Sequence, residues 1–318
     1  MRPKSLSFVL SSASKESIAT GGLGALRAVA SASFRPRGAT YDPSRLKARR
    51  VRALRGGENA LAIVFTPRDG IVKIDVLASG ATTSEDVERA IEAARGLSAV
   101  DDDPSELLSM VRDHPVLGKA ARRSDPRIPK TPTLFETFAT AVIEQLVTGF
   151  EAREAIKRLW WRAGEKIPGT KLRAPPTASA VRRVPMWRLR EMGIGARRAA
   201  TLREGSIRGA ALERLRDEDP EIAMTKLMSL PGVGPWTANY VARDALGWAD
   251  AVPIGDFHGP GIVTTALLGE EGGDDEMIAA LAPFRPHRAR VVMLIESNLT
   301  GPFRPPRVDA HRREPWRY

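Results

Sequence analysis

The sequence predicts an α+β protein: a small antiparallel sheet with one helix, followed by a longer, mainly α-helical region with a central cleft. Three observations carry this. Between Lys47 and Ala78 the apolar residues recur mostly at every second position, the period of a half-buried strand. Beyond Pro104 they recur at three- and four-residue intervals, broken by Pro, Gly and short polar links. A length of 318 residues with 42% hydrophobic content suits about two soluble domains.

Residues 1–40 are rich in Ser, Ala, Gly and Arg with Glu16 as their one acid, and they read as a basic, flexible leader with the composition of an organellar presequence. Gly22-Leu23-Gly24 lacks the preceding strand and third glycine of a phosphate-binding loop. The α+β unit spans 41–103. Ala60–Phe65 and Ile71–Leu77 flank Pro67-Arg68-Asp69-Gly70 as a hairpin. Thr83-Ser84-Glu85-Asp86 then opens a helix to about Arg95, with acids where the helix dipole favours them. Asp101-Asp102-Asp103-Pro104 closes the unit. Over 104–300 the pattern predicts helices at 133–146, 152–163, 178–192, 196–216, 220–228 and 235–246, then an extended link and a last helix over 288–298. Residues 301–318 form a Pro- and Arg-rich tail.

Composition removes several function classes. Cysteine is absent, which excludes disulfides, thiolate nucleophiles and cysteine-ligated zinc or iron–sulfur centres. No apolar run approaches the roughly 20 residues of a membrane span. His114, His258, His287 and His311 are too scattered for a metal site or a Ser-His-Asp arrangement. Lys plus Arg number 49 against 38 for Asp plus Glu, and a net charge of +11 is the footprint of a phosphate-bearing partner.

The strongest local signal is Leu230-Pro231-Gly232-Val233-Gly234 between two helices. Its glycines permit a tight turn and close backbone approach, and Pro235 suits the first position of the next helix. The amides of Gly232, Val233, Gly234 and Trp236 are then expected to face outwards from a helix N-terminus as a seat for phosphate. A plain helix link would use the same residues. The segments beyond the turn decide between the two: Trp236-Thr237-Ala238-Asn239-Tyr240-Val241-Ala242, then Val252-Pro253-Ile254-Gly255-Asp256, with the Asp 22 residues past Gly234.

This run resembles the helix-hairpin-helix glycosylase superfamily, and within it the DNA-3-methyladenine glycosylase II branch. Glu144-Gln145-Leu146-Val147, Met192-Gly193-Ile194-Gly195 with Arg197-Arg198-Ala199, and Phe284-Arg285-Pro286-His287-Arg288 are similar to secondary motifs of that family. The resemblance covers about Ser105 to Asn298. It implies a monofunctional DNA N-glycosylase that removes alkylated purines in base excision repair. Asp256 matches the catalytic aspartate, whose carboxylate stabilises an oxocarbenium-like transition state and orients water; the lesser alternative is a cap on the helix after Pro260. Asp244 reads as a solvated charge on a helix and Asp250 as a loop residue. Trp236 stands where bifunctional relatives carry a Schiff-base lysine, so water is the nucleophile. Trp236 and Tyr240 share a helix face and match aromatic walls of the base pocket, where a cationic purine is attracted; the alternative is ordinary core aromatics. Leu146 matches the side chain that fills the gap of a flipped nucleotide, with Gln145 before it, though alone it reads equally as a core leucine. Gly232, Val233, Gly234 and Thr237 match DNA contacts. The carbonyls of Met228, Leu230 and Val233 match a site for a monovalent cation, the one cofactor expected.

The chain departs from the family pattern at His287, where a tryptophan is common, and at Gly255, acidic in some relatives; His287 is placed with the base pocket on this basis. The expected partner is double-stranded DNA with a damaged base, bound by a monomer in a bacterial cytoplasm. Two rivals stay open: a non-catalytic DNA-binding module, and a glycosylase for oxidised or deaminated bases.

Overall fold

A computed structural model of the chain describes residues 27–34, 50–56, 59–68, 71–78, 82–167 and 172–298. Gly22-Leu23-Gly24, the turn residues Asp69 and Gly70 and the tail beyond 300 lie outside them. A four-stranded antiparallel sheet, in the order β1-β4-β3-β2, comprises β1 (Arg27–Phe34), β2 (Arg50–Gly56), β3 (Asn59–Arg68) and β4 (Ile71–Ala78). The predicted hairpin is β3–β4, with Ile63 opposite Val76 and Phe65 opposite Ile74. Residues 27–34, which composition assigns to the leader, instead form an edge strand on β4. Their Ala and Ser content hides a strand that only sheet pairing reveals. Helix α1 (Ser84–Ser98) opens on a capping box between Thr83 and Asp86 and lays Ala90, Ile91 and Ala94 over Leu61, Ile63, Ile74 and Val76.

The helical region has two hydrophobic bodies. The first surrounds α4 (Leu134–Glu144), whose Phe138 is fully buried, and takes in α5 (Gly149–Ala163), α8 (Ala196–Ile207), α10 (Pro220–Met228) and α11 (Pro235–Val241). Glu213 caps the α4 N-terminus, its carboxylate accepting from the amides of Leu134 (3.0 Å) and Phe135 (2.9 Å). The second body joins α2 (Ser105–Met110), α3 (Leu117–Arg123), α12 (Gly259–Leu268), α13 (Asp274–Leu281) and α14 (Arg288–Ser297). The chain crosses between the bodies over 247–258, and that crossing carries Asp256.

Three predicted helices are subdivided. Pro185 splits 178–192 into α6 (Ala178–Arg182) and α7 (Met186–Glu191), as a residue without an N–H that disfavours helix before it must. The 196–216 helix breaks at Arg208 into α8 and α9 (Gly209–Arg214). Helix α11 passes into a π-helical turn, Ala242–Leu246, that ends at Gly247 with φ +75°. The supposed extended link contains α12 and α13. Its opening Gly-Pro-Gly and β-branched Ile262, Val263, Thr264 and Thr265 have weak helix propensity, and packing of Val263 and Ala266 in the second body overrides it.

Asp102 couples the end of the α+β unit to α14. Its carboxylate accepts from Arg290 Nη2 at 2.7 Å and from the Ile128 amide at 2.9 Å, and Arg290 is buried. Removing one partner of such a pair strands the other charge. Asp102→Ala is therefore expected to destabilise the protein by about 3–5 kcal/mol, measured by urea unfolding; a loss within the error of the extrapolation would show that Arg290 is solvated in the folded state.

Candidate functional site

The Asp256 carboxylate lies where the chain crosses between the two bodies and is held by three N–H donors. Its Oδ1 accepts from the amides of His258 (2.9 Å) and Gly259 (2.7 Å), and its Oδ2 accepts from Trp236 Nε1 at 2.9 Å. The two amides are those of the residue before α12 and of its first residue, so Asp256 anchors the approach to that helix without being its cap residue. A carboxylate has about four acceptor positions, and three donors leave roughly one for a water or a sugar. Asp256 itself is half-buried.

Gly255 explains the absence of an acid before Asp256. Its φ is +83°, a region costly for any side chain. Its amide donates to both carboxylate oxygens of Asp274, at 3.1 and 3.0 Å, so a negative charge reaches this place from α13 instead.

Trp236 and Tyr240 stack with ring centroids 5.4 Å apart, one helical turn from each other. Both are half-buried rather than sealed in the core, though they pack against the first body. Arg243 continues the face, its guanidinium 4.8 Å from the Tyr240 ring and paired to Asp244 at 2.6 Å. Asp244 is thus a half-buried ion-pair partner, not a solvated charge. Burial works against the Arg243 charge, but the bond and field of Asp244 outweigh it and raise the pKa. Burial, with the Glu144 charge, holds the Tyr240 phenol above its ordinary value.

Two further carboxyls join this wall that spacing alone did not identify. Glu144, at the end of α4, hydrogen-bonds Tyr240, yet desolvation leaves its carboxyl above the usual value. Glu296, in the last turn of α14, reaches solvent but is crowded by protein, as on a concave surface. Desolvation raises its carboxyl, Arg243 lowers it, and the charges of Asp256 and Asp244 raise it again. Phe257, 90% exposed beside Asp256, is the third residue missed. Exposure of an aromatic next to an acid is not legible from sequence.

Leu146, two residues past the end of α4, has φ +52° and 98% of its surface exposed. A bulky side chain in the left-handed region and fully in water is no core leucine, and such strain clusters at functional sites. Gln145 turns away from it. Its Nε2 donates to Gly232 O (3.0 Å) and to Thr237 Oγ1 (2.8 Å), locking the Leu146 loop to the glycine hairpin. Thr237 is buried in that bond, while Gln145 stays half-exposed. Behind them Arg198 donates to Ile143 O and to Gly193 O, the latter at 3.1 Å.

The hairpin turns at Gly232, φ +82°. Val233 N–H donates to Leu230 O at 3.1 Å, so this amide does not point outwards as expected, while the Leu230 carbonyl keeps a second lone pair. The first-turn amides after Gly234 have no partner within α11, as at any helix start. His287 lies elsewhere. It is buried at the start of α14, with Nε2 3.1 Å from Glu106 Oε2 but outside hydrogen-bonding geometry. Nine residues of helix put it about 13 Å from Glu296. Asp250, expected in a loop, is buried and pairs with Arg288 at 2.7 Å.

No family profile and no curated protein matches the chain. Solved structures do. A 3-methyladenine DNA glycosylase from Archaeoglobus fulgidus superposes with TM-score 0.66 at 24% identity, over 77% of this chain and 84% of that one. The apo 8-oxoguanine glycosylase/lyase of Clostridium acetobutylicum gives 0.60 at 16% identity, over 77% and 88%. The same enzyme in complex with DNA containing cytosine opposite 8-oxoguanine gives 0.56 at 18%, over 78% and 88%. The chain has the helix-hairpin-helix DNA glycosylase fold. The hairpin 230–234 and the Leu146 loop stand on the first body, and Asp256 stands on the crossing to the second. Among the described residues, no group of His, Asp and Glu is arranged to hold a metal ion, and no helix is long and apolar enough to cross a membrane.

The crowding of Glu296 bears on stability. A carboxyl with a raised folded-state pKa contributes stability below its unfolded pKa, near 4.5, and loses it as pH rises through the folded value. At neutral pH its charge is a net cost to the fold. Glu296→Gln should therefore raise the melting temperature at pH 7.5, with the difference vanishing towards pH 4; a difference independent of pH would show that Glu296 is not desolvated.

Proposed function

We propose that the protein is a monofunctional DNA glycosylase that hydrolyses the N-glycosidic bond of alkylated purines in damaged duplex DNA. The observation that carries this reading is the Asp256 carboxylate, fixed by three N–H donors next to the Trp236–Tyr240 stack at the cleft. Phosphate binding alone needs neither the acid nor the aromatic wall.

The hairpin at Gly232 and Gly234, with the first-turn amides and dipole of α11, holds the DNA backbone. Leu146 enters the base stack, filling with apolar surface the gap from which a nucleotide has left. Its strained backbone and the Gln145 clamp hold that side chain out before DNA arrives. The extruded base lies against Trp236 and Tyr240. The bond between C1′ and the base nitrogen breaks with its electron pair going to the base, and positive charge develops on the sugar. Asp256 stabilises that charge, and its remaining acceptor position orients the water that attacks C1′ and gives up a proton. Trp236 occupies the position of a Schiff-base lysine, so the product is an abasic site in an unbroken strand.

The lining favours a cationic base. Four carboxyls (Glu144, Asp244, Asp256 and Glu296) surround one guanidinium, Arg243, beside two electron-rich rings. An N-alkylated purine is already cationic and leaves as a neutral base, so no side chain need protonate it. The carbonyls of Met228, Leu230 and Val233 are proposed to hold a monovalent cation at the hairpin; uncharged oxygens suit a hard ion.

The test is single-turnover release of free base from duplexes containing a methylated purine, 8-oxoguanine or hypoxanthine, with strand integrity followed on the same samples. The expected result is release of the methylated purine ahead of the two neutral lesions, with no strand cleavage. Fastest release of 8-oxoguanine or hypoxanthine would contradict the substrate assignment, and binding without release of any base would make the protein a DNA-binding module.

A further inference from the structure

A second surface, apart from the cleft, combines aromatic faces with positive charge. Between α5 and α7 lies a groove of about 740 Å³ bordered by Arg158, Trp161, Arg162, Arg173 and Arg188. Trp161 is 69% exposed with the Arg173 guanidinium 4.5 Å from its ring, and Trp187, next to Arg188, is 55% exposed with the Arg188 guanidinium 4.3 Å from its ring. Neither indole belongs to a core cluster. The local charge is positive: Lys157 is paired with Glu154 and Arg188 with Glu191, whereas Arg158 and Arg162 meet no carboxylate among the described residues.

Leaving two indoles in water costs the apolar burial each would gain elsewhere. A single cationic face would serve a duplex backbone, but the bases of a duplex stack on one another and offer no face to an indole. Unpaired nucleotides do: their bases stack on aromatic side chains while arginines meet the phosphates, and this tolerates any sequence. An acidic peptide would satisfy the arginines and leave the indoles unmatched. Helix α5 begins three residues after Leu146 and runs about 18 Å from Gly149 to Trp161, at this groove. We propose that the α5–α7 groove is a second nucleic-acid site that takes unpaired nucleotides of single-stranded DNA, independently of the lesion cleft. This goes beyond the glycosylase reading and does not rest on it.

Fluorescence anisotropy of the full chain with a labelled oligothymidylate of about twelve nucleotides, within the span such sites cover, tests it. Trp161→Ala/Trp187→Ala should weaken oligothymidylate binding by about tenfold or more and leave affinity for undamaged duplex within about twofold. Both indoles are exposed, and a melting curve checks that the fold survives. Arg158→Gln/Arg162→Gln, which keeps the indoles, should flatten the dependence of log K on log salt by about 0.7 per phosphate contact removed. Unchanged oligothymidylate affinity in the indole variant, or equal loss for single strand and duplex, would overturn the proposal. So would polyglutamate displacing the oligonucleotide as effectively as unlabelled oligothymidylate, which would make the groove a site for an acidic protein.

Discussion

An ionised carboxylate half-buried between two helical bodies is stable only where donors converge on it, and three do so at Asp256. Two are the amides of His258 and Gly259 at the approach to α12, and the third is the indole of Trp236, from the opposite body. The acid therefore fixes the start of one helix, the orientation of one wall of the cleft, and the seam between the bodies. Gly255 supplies the left-handed turn that presents it, held in turn by Asp274. A charge clamped in this way needs no rearrangement when positive charge develops opposite it, which is the condition under which electrostatic stabilisation is most effective.

The second constraint links recognition to penetration. Gln145 bonds the glycine hairpin with the same nitrogen that anchors the loop bearing Leu146, and Arg198 secures that loop to α8. The glycine hairpin and the Leu146 loop are consequently tied together, so that in the proposed function seating the hairpin on phosphate sets where Leu146 meets the base stack. Glu144 closes the connection, lying beside Gln145 in sequence and bonded to Tyr240 in the wall. Desolvation raises the carboxyls of Glu144 and Glu296, a perturbation common where function sets the residue.

Much of the fold was legible because period and punctuation agreed: the β3–β4 hairpin, the capping box of α1, and α10 between Asp219 and Met228 follow local rules that tertiary packing did not override. The misses have physical causes. Strand β1 is too alanine- and serine-rich to announce itself without its partner, and α12 is built from poor helix formers. Asp102 reads as one of three acids in a linker, yet it is the acceptor for a buried arginine nearly two hundred positions away, a relation no local pattern contains. At the site, Asp256, Trp236, Tyr240 and Leu146 came from the motifs, and the structure bonds Trp236 to Asp256, sets it against Tyr240 and exposes Leu146. Thr237 and Gln145 came from the same motifs and bond each other, and His287 stands at the start of α14. Glu296 and Phe257 could be found only once burial and exposure were known.

The central claim is that the charge of Asp256, and not its bonds to the amides before α12, drives base release. Asp256→Asn separates the two. An asparagine oxygen still accepts from the amides of His258 and Gly259, while its NH₂ replaces the oxygen that faced the Trp236 N–H, so the negative charge is lost with little change in size. Single-turnover release of methylated purine is measured beside a melting curve and lesion-DNA affinity. The account predicts a folded, DNA-binding protein whose release rate falls by about a hundredfold or more. A folded Asp256→Asn protein releasing base at close to the wild-type rate would contradict it.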